Sequence, residues 1–171
     1  MSPRTYLIAI LAVLLAAVHP PPARADDHSL AMKAAMIYNF TRFSTWPGTR
    51  FSSPSSPVVL CVDPANALGA ELIKLEGRPV GARRLHVRRG ALDGGCHAAV
   101  LSVRETSPGT ISGLNRQGVL TIGETAGFSR TGAIGLMTVG RQVRFEINVK
   151  VAQAAGISLS SKLLRLAIAV R

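Results

Sequence analysis

Carboxylates are scarce in this chain. Its 171 residues carry 9 Asp+Glu against 20 Lys+Arg, a formal net charge of +11. Cysteine is scarcer, with two, and all charged residues together make up 17%. Each shortage excludes something. Long disordered tails need low hydrophobicity and high charge, whereas 47% of this chain is hydrophobic and its mean hydropathy is +0.28. No H-E-x-x-H, C-x-x-C or G-x-S-x-G motif occurs, which removes the usual zinc-protease, redox and nucleophile-elbow constellations. The carboxylates are scattered and nominate no acid–base pair. No Gly-rich run opens a helix in the phosphate-cradling pattern, so nucleotide binding finds no support. Cys96-His97 places two metal-ligand types side by side, but nothing is spaced to complete a site. Ser160-Ser161-Lys162 resembles a Ser/Lys dyad only loosely, because S-x-x-K needs serine at 159, which is Leu. Ser160 reads better as a helix cap beside a solvated Lys162. The expectation is a chain with no enzymatic activity, no metal and no cofactor.

Nor does the N-terminal apolar run reach the ~20 residues of a membrane span. Leu7 to Val18 is uncharged and apolar over 12 residues, follows Arg4, and leads into a Pro-broken stretch ending Ala23-Arg24-Ala25. A positive start, a short apolar core and an A-x-A site describe a secretory signal peptide over residues 1–25, with residues 26–171 forming one domain. No cysteine stands where a lipoprotein needs one. Cleavage removes Arg4 and Arg24 from the 20 basic residues, and against 9 acids the remainder carries +9. A cytosolic protein so charged would suggest nucleic acid; export removes that partner and leaves anionic lipid, cell-wall polymer, acidic proteins or small anions.

What is present reads as alternating strands and helices. Asp26 to Ser29 stands as a cap before an amphipathic helix from Leu30 that must end by Trp46-Pro47. Pro57 to Val62 is a short β-branched run suited to a buried strand, and Asp63-Pro64 then caps a helix through Leu75. Strands follow around Leu85–Val87 and from Cys96 to Val103, then a helix opened by Ser107-Pro108, then a strand from Val119 to Gly123. Ala133–Val139 and Val143–Asn148 form a hairpin joined by Gly140-Arg141-Gln142. Asn148 caps one helix, and a last helix spans Leu163 to Val170. The pattern predicts an α/β fold: a single compact domain whose mixed sheet of about six strands is flanked by helices, with a C-terminal hairpin and helices.

Export makes a disulfide between Cys61 and Cys96 the one pairing available, with two buried free thiols as the alternative. Geometry weighs against the bond. If strands 58–62 and 97–103 are parallel neighbours, Cys61 lies late in one and Cys96 just before the other, which separates them beyond the ~7 Å that a bridge tolerates unless the register is offset.

Two stretches remain open. Arg78, Arg83, Arg84, Arg88 and Arg89 lie within 12 residues with no acid among the five, either a solvated strand face or an anion-binding surface. No aromatics interleave there, which argues against single-stranded nucleic acid. In Val143-Arg-Phe-Glu-Ile-Asn148, Val143, Phe145 and Ile147 take one face and Arg144, Glu146 and Asn148 the other. That polar face is either plain exposed surface with an Arg144–Glu146 pair, or a recognition face or polar network beneath the next helix.

Lys33-Ala-Ala-Met-Ile-Tyr-Asn-Phe-Thr-Arg-Phe-Ser-Thr-Trp-Pro47 resembles the opening signature of the YfiR family of periplasmic proteins. Leu60-Cys61-Val62, Leu75 to Val80, Cys96-His97, Val119 to Gly123, Val143 to Asn148 and Ile157 to Ala167 resemble that family's later landmarks in order, so the likeness spans about residues 30–168. The resemblance implies a non-enzymatic, dimerising regulator in the periplasm. Such a protein binds the periplasmic sensing region of an inner-membrane diguanylate cyclase and holds it inactive, lowering cyclic di-GMP and biofilm formation. It further implies that Cys61 and Cys96 match the family's first cysteine pair, and that Glu146, flanked by Arg144 and Asn148, lies at the partner surface. The chain departs from relatives that carry a second cysteine pair near the final hairpin, so here that hairpin is held by packing alone. The competing class is a periplasmic module that binds a small ligand or cell-wall fragment and touches no cyclase.

Overall fold

The computed structural model describes residues 25–140 and 142–171. The expected signal peptide therefore lies outside the described residues, apart from its final Ala25. The first helix of the described residues, α1, runs Ala25–Arg42 and begins earlier than the cap pattern suggested. Asp27 and Ser29 sit within its first turns, where acidic residues complement the helix dipole. Ile37 and Phe40 are fully buried from its apolar face. Its end is satisfied internally, by Thr41 Oγ1 donating to Tyr38 O at 2.7 Å and Ser44 Oγ to Phe40 O at 2.7 Å.

Ten strands and four further α-helices follow among the described residues. They are β1 (Ser44–Thr45), β2 (Val58–Val62), α2 (Ala67–Ile73), β3 (Pro79–Val80), β4 (Arg83–Arg89) and β5 (Ala98–Leu101), then α3 (Pro108–Arg116), β6 (Leu120–Gly123), β7 (Ile134–Val139) and β8 (Gln142–Ile147), and last α4 (Val149–Ala154), β9 (Ser158–Leu159), α5 (Ser161–Leu164) and β10 (Ala169–Val170). β1 and β9 form a small antiparallel ladder. The other eight strands make one mixed sheet in the order β10-β8-β7-β6-β5-β2-β4-β3, parallel from β4 through β7. The six strands expected from the pattern are all in it. β3 and β10 are additional, each two residues long and too short to show a period.

Alternation along the strands divides the core in two. Val58, Leu60 and Val62, with Leu85, Val87, Ile122, Ile134, Phe145 and Ile147, face α1 and α2. Cys61, Ala99 and Leu101 face the other way, onto Ile111 and Leu114 of α3. With helices on both faces, the winding changes direction between β2 and β5, from which the chain travels outward to either side.

Three local expectations are corrected. α2 is capped by Asn66, whose side chain accepts from Leu68 N at 2.8 Å, and not by Asp63; the Asp63 carboxylate instead accepts from Ala65 N in a turn ahead of the helix. The hairpin turn is two residues, because Gln142 pairs with Val139 and belongs to β8. The last helix stops at Leu164, capped by Ser160 as the dyad-like triplet suggested, and the chain then extends as β10 beside β8 instead of continuing helical to Val170.

Cys61 and Cys96 are joined in the structure, with Cα atoms 5.8 Å apart. The feared register is nonetheless real: Leu60 pairs with Ala98, which sets Cys96 well behind Cys61 in sequence level. The bond forms because Cys96 is not part of the strand. After Arg89, level with Val62, the short 90–96 connection returns across the sheet face, and Cys96 meets Cys61 before the chain enters β5.

Candidate functional site

The polar face of β8 resolves into a network. Glu146 pairs across the sheet with Gly135, and a Cβ at Gly135 would come within 3.2 Å of Ser129 N, so the absent side chain lets the Ser129 turn approach. Ser129 Oγ donates to Glu146 Oε2 at 2.5 Å. The Asn148 amide donates to Ser129 O at 2.8 Å, while its oxygen accepts from Val151 N at 3.0 Å and caps α4. Arg171, following β10, places Nη2 3.3 Å from Glu146 Oε2. Three chain segments are thus tied to one strand end, so the polar side chains of β8 near Glu146 form a bonded network and not a plain exposed surface.

Electrostatics follow from that geometry. The Ser129 hydroxyl is the main influence holding the Glu146 carboxyl below its ordinary range; partial burial opposes it, and Arg171 and Arg130 reinforce it. The Glu146 side chain keeps 17% of its surface exposed, so an ionised oxygen fixed by neighbours still reaches solvent. The Arg144–Glu146 pair of the plain-surface reading is absent: Arg144 is exposed and donates to Gln142. Asn148 is buried, with both ends of its amide engaged. Sequence spacing did not mark Ser129 or Arg171, which lie 17 and 25 residues from Glu146.

On the β2–β5 side, His97 is a satisfied core residue. Its Nδ1 accepts from Val59 N at 3.0 Å, and its Nε2 lies 3.1 Å from Arg50 O, so Nε2 carries the proton. Burial drives its pKa down to about 4. Phe51 stacks on the ring at 4.5 Å, Trp46 meets it edge-on at 5.8 Å, and Trp46 Nε1 donates to His97 O. Arg50 donates to the Gly94 and Cys96 carbonyls, and Arg88 reaches Asp93 and lies 3.0 Å from Cys96 Sγ. Among the described residues, no group of three or more His, Cys, Asp or Glu is arranged to hold a metal ion, and no helix is long and apolar enough to cross a membrane.

Four of the five clustered arginines are drawn to different partners. Arg78 lies over the Tyr38 ring, Arg83 over Phe51, Arg84 donates to Gly77 O, and Arg88 turns to the disulfide loop. A two-residue alternation sends neighbours to opposite faces of β4, so closeness in sequence did not become closeness in space.

A family model described as YfiR/HmsC-like matches residues 30–168. No curated protein matches the chain. Among solved structures, a conserved domain protein from Vibrio cholerae O1 biovar El Tor strain N16961 superposes with a TM-score of 0.51 at 11% identity, covering 83% of this chain. The chain spans 60% of that protein's length, and at this identity the likeness concerns the fold alone.

Proposed function

This chain belongs to the YfiR/HmsC-like family, and from that membership and the β8 network we propose that it is a non-enzymatic periplasmic regulator. In this reading it is exported by cleavage after Ala25, pairs as a homodimer, and binds the periplasmic sensing region of an inner-membrane diguanylate cyclase. Binding holds the cyclase inactive, so cyclic di-GMP and biofilm formation stay low.

The observation that carries the reading is the fixed, ionised Glu146, part-exposed near the C-terminal end of β8. A carboxylate already oriented by Ser129 and Arg171 loses little freedom when a partner's cation meets it, and pre-ordering of this kind favours binding. Arg144, two residues away on the same face and bound only to Gln142, adds a charge of the opposite sign. Asn148 acts from beneath as a positioning residue, locking Ser129 to the start of α4. Alternating signs along one strand favour a polar protein surface over a membrane, which presents one sign of charge.

Deletion of the gene is expected to raise cyclic di-GMP in cells expressing the cyclase, and the wild-type chain to bring it back. Unchanged cyclic di-GMP on deletion rejects repression and favours the ligand-binding module.

A further inference from the structure

A cavity of about 320 Å³ opens where the end of α1, the segment between β1 and β2, and the β3–β4 turn come together. It lies at the N-terminal ends of β2 and β4. Four strand spacings separate β2 from β8, roughly 20 Å, so the cavity is remote from the Glu146 network. Trp46, Phe51, Val58 and Val80 supply apolar wall, and Arg42 and Arg83 are the charged residues of its lining; no carboxylate is among its described lining residues.

Among the described residues, neither arginine has an acidic partner. Arg83 is stacked 3.6 Å from the Phe51 centroid and donates through Nη1 to Ser53 O and Ser56 O at 3.0 and 2.6 Å. Those bonds hold the guanidinium plane and leave the rest of its fork available. Arg42 lies over the rings of Tyr38 and Phe43 at 5.6 and 5.8 Å. The nearby carboxylates are already engaged: Glu71 with Lys74, Glu76 with His86 and the Val87 N–H, Asp93 with Arg88. Two planar forks, Arg83 on the Phe51 wall and Arg42 braced on Tyr38 and Phe43, with no carboxylate among the described lining residues, match an oxygen anion carrying an apolar body.

We propose that this cavity binds a small organic anion. Its carboxylate or phosphate lies between Arg42 and Arg83, and a flat apolar body packs among Trp46, Phe51, Val58 and Val80. The volume sits at the lower end of ligand pockets, which suits a head group with about one ring and is too small for a nucleotide or glycan chain. The inference does not depend on the cyclase, because none of these residues belongs to the β8 face.

Trp46 is the single tryptophan of the chain, so its fluorescence reports on the cavity directly. The processed, disulfide-intact protein is titrated with benzoate, phenyl phosphate and the neutral benzyl alcohol. Saturable fluorescence changes are expected with both anions, and binding of the alcohol weaker by about tenfold or more. Arg42→Gln, at an exposed position without an ion-pair partner, should melt like the wild type, weaken both anions by about tenfold and leave the alcohol unchanged. Arg83→Gln carries the same expectation for anion binding and serves if the first variant is unstable. No saturable response to either anion at millimolar concentration overturns the proposal. So does alcohol binding equal to that of the anions, or a folded arginine variant that binds them as the wild type does.

Discussion

His97 Nδ1 accepts the Val59 N–H, a main-chain donor of β2, the strand beside β5 in the sheet. A protonated ring has no lone pair to offer there, so the bond exists only with neutral histidine. With its folded pKa near 4, against 6.5 when unperturbed, the folded state binds fewer protons than the unfolded chain between those values. Stability is then fully present above the unfolded pKa and falls as pH drops towards the folded one, by on the order of 3 kcal/mol in total. Urea midpoints measured from about pH 7 to about pH 5 should decline, and His97→Gln should flatten that decline while lowering stability throughout. A wild-type midpoint constant across the interval would mean that the ring titrates freely.

The Cys61–Cys96 bond ties the returning 90–96 connection to the later part of β2. Closing a 35-residue separation contributes about 3.8 kcal/mol on the chain-entropy model. Thiol titration of the denatured, unreduced protein should find no free cysteine. Reduction, or Cys61→Ser, should lower the urea midpoint by a comparable free energy; two titratable thiols in protein taken from the periplasm would refute the pairing in the cell.

Gly132 and Gly113 should respond oppositely to alanine. A Cβ at Gly132 would meet the buried Phe128 ring at 2.0 Å, and the ring cannot withdraw without opening the smaller core. Overpacking there should cost about 1–3 kcal/mol. Gly113 lies within α3 with nothing near its absent Cβ, so alanine should stabilise by up to about 1 kcal/mol through helix propensity. Thermal melts of the two variants check both signs, and equal shifts would contradict this packing of Phe128.

The sheet was legible where strands were long or buried enough to show a period: Val58–Val62 and residues 143–147 declared themselves. β3, β9 and β10 did not, because two residues have no period, and β10 is strand only by virtue of lying beside β8. Ser160, Ser107 and Asn148 were readable as caps because capping is local. Helix α2 misled because Asp63-Pro64 and Asn66 are both competent caps, and only packing of Leu68 and Leu72 chooses between them. The polar face of β8 was visible as alternation. Its partners were not, since Ser129 and Arg171 arrive through the chain's path in space.

On the proposed contact at β8, charge changes should separate binding from folding. Glu146→Lys removes the acceptor for Ser129 and sets a third cation beside Arg171 and Arg130, so it should cost about 1–3 kcal/mol of stability as well as binding. Phe145 and Ile147 stay buried on the opposite face and should keep the strand in place. Glu146→Gln is cleaner: its amide oxygen can still accept from Ser129, and only the charge is lost. Arg144→Glu alters an exposed side chain bound to Gln142 and should melt like the wild type. Against the purified periplasmic region of the cyclase, Glu146→Lys should lose about 2–5 kcal/mol of binding if the contact is desolvated and hydrogen-bonded, and much less at a rim. Glu146→Gln should fall between the two, with Arg144→Glu acting mainly on the association rate and its salt dependence. Calorimetry together with melting curves distinguishes the cases. If Glu146→Gln and Arg144→Glu both bind and repress as the wild type does, the contact lies elsewhere on the chain, and the network of Glu146, Ser129, Asn148 and Arg171 serves the fold alone.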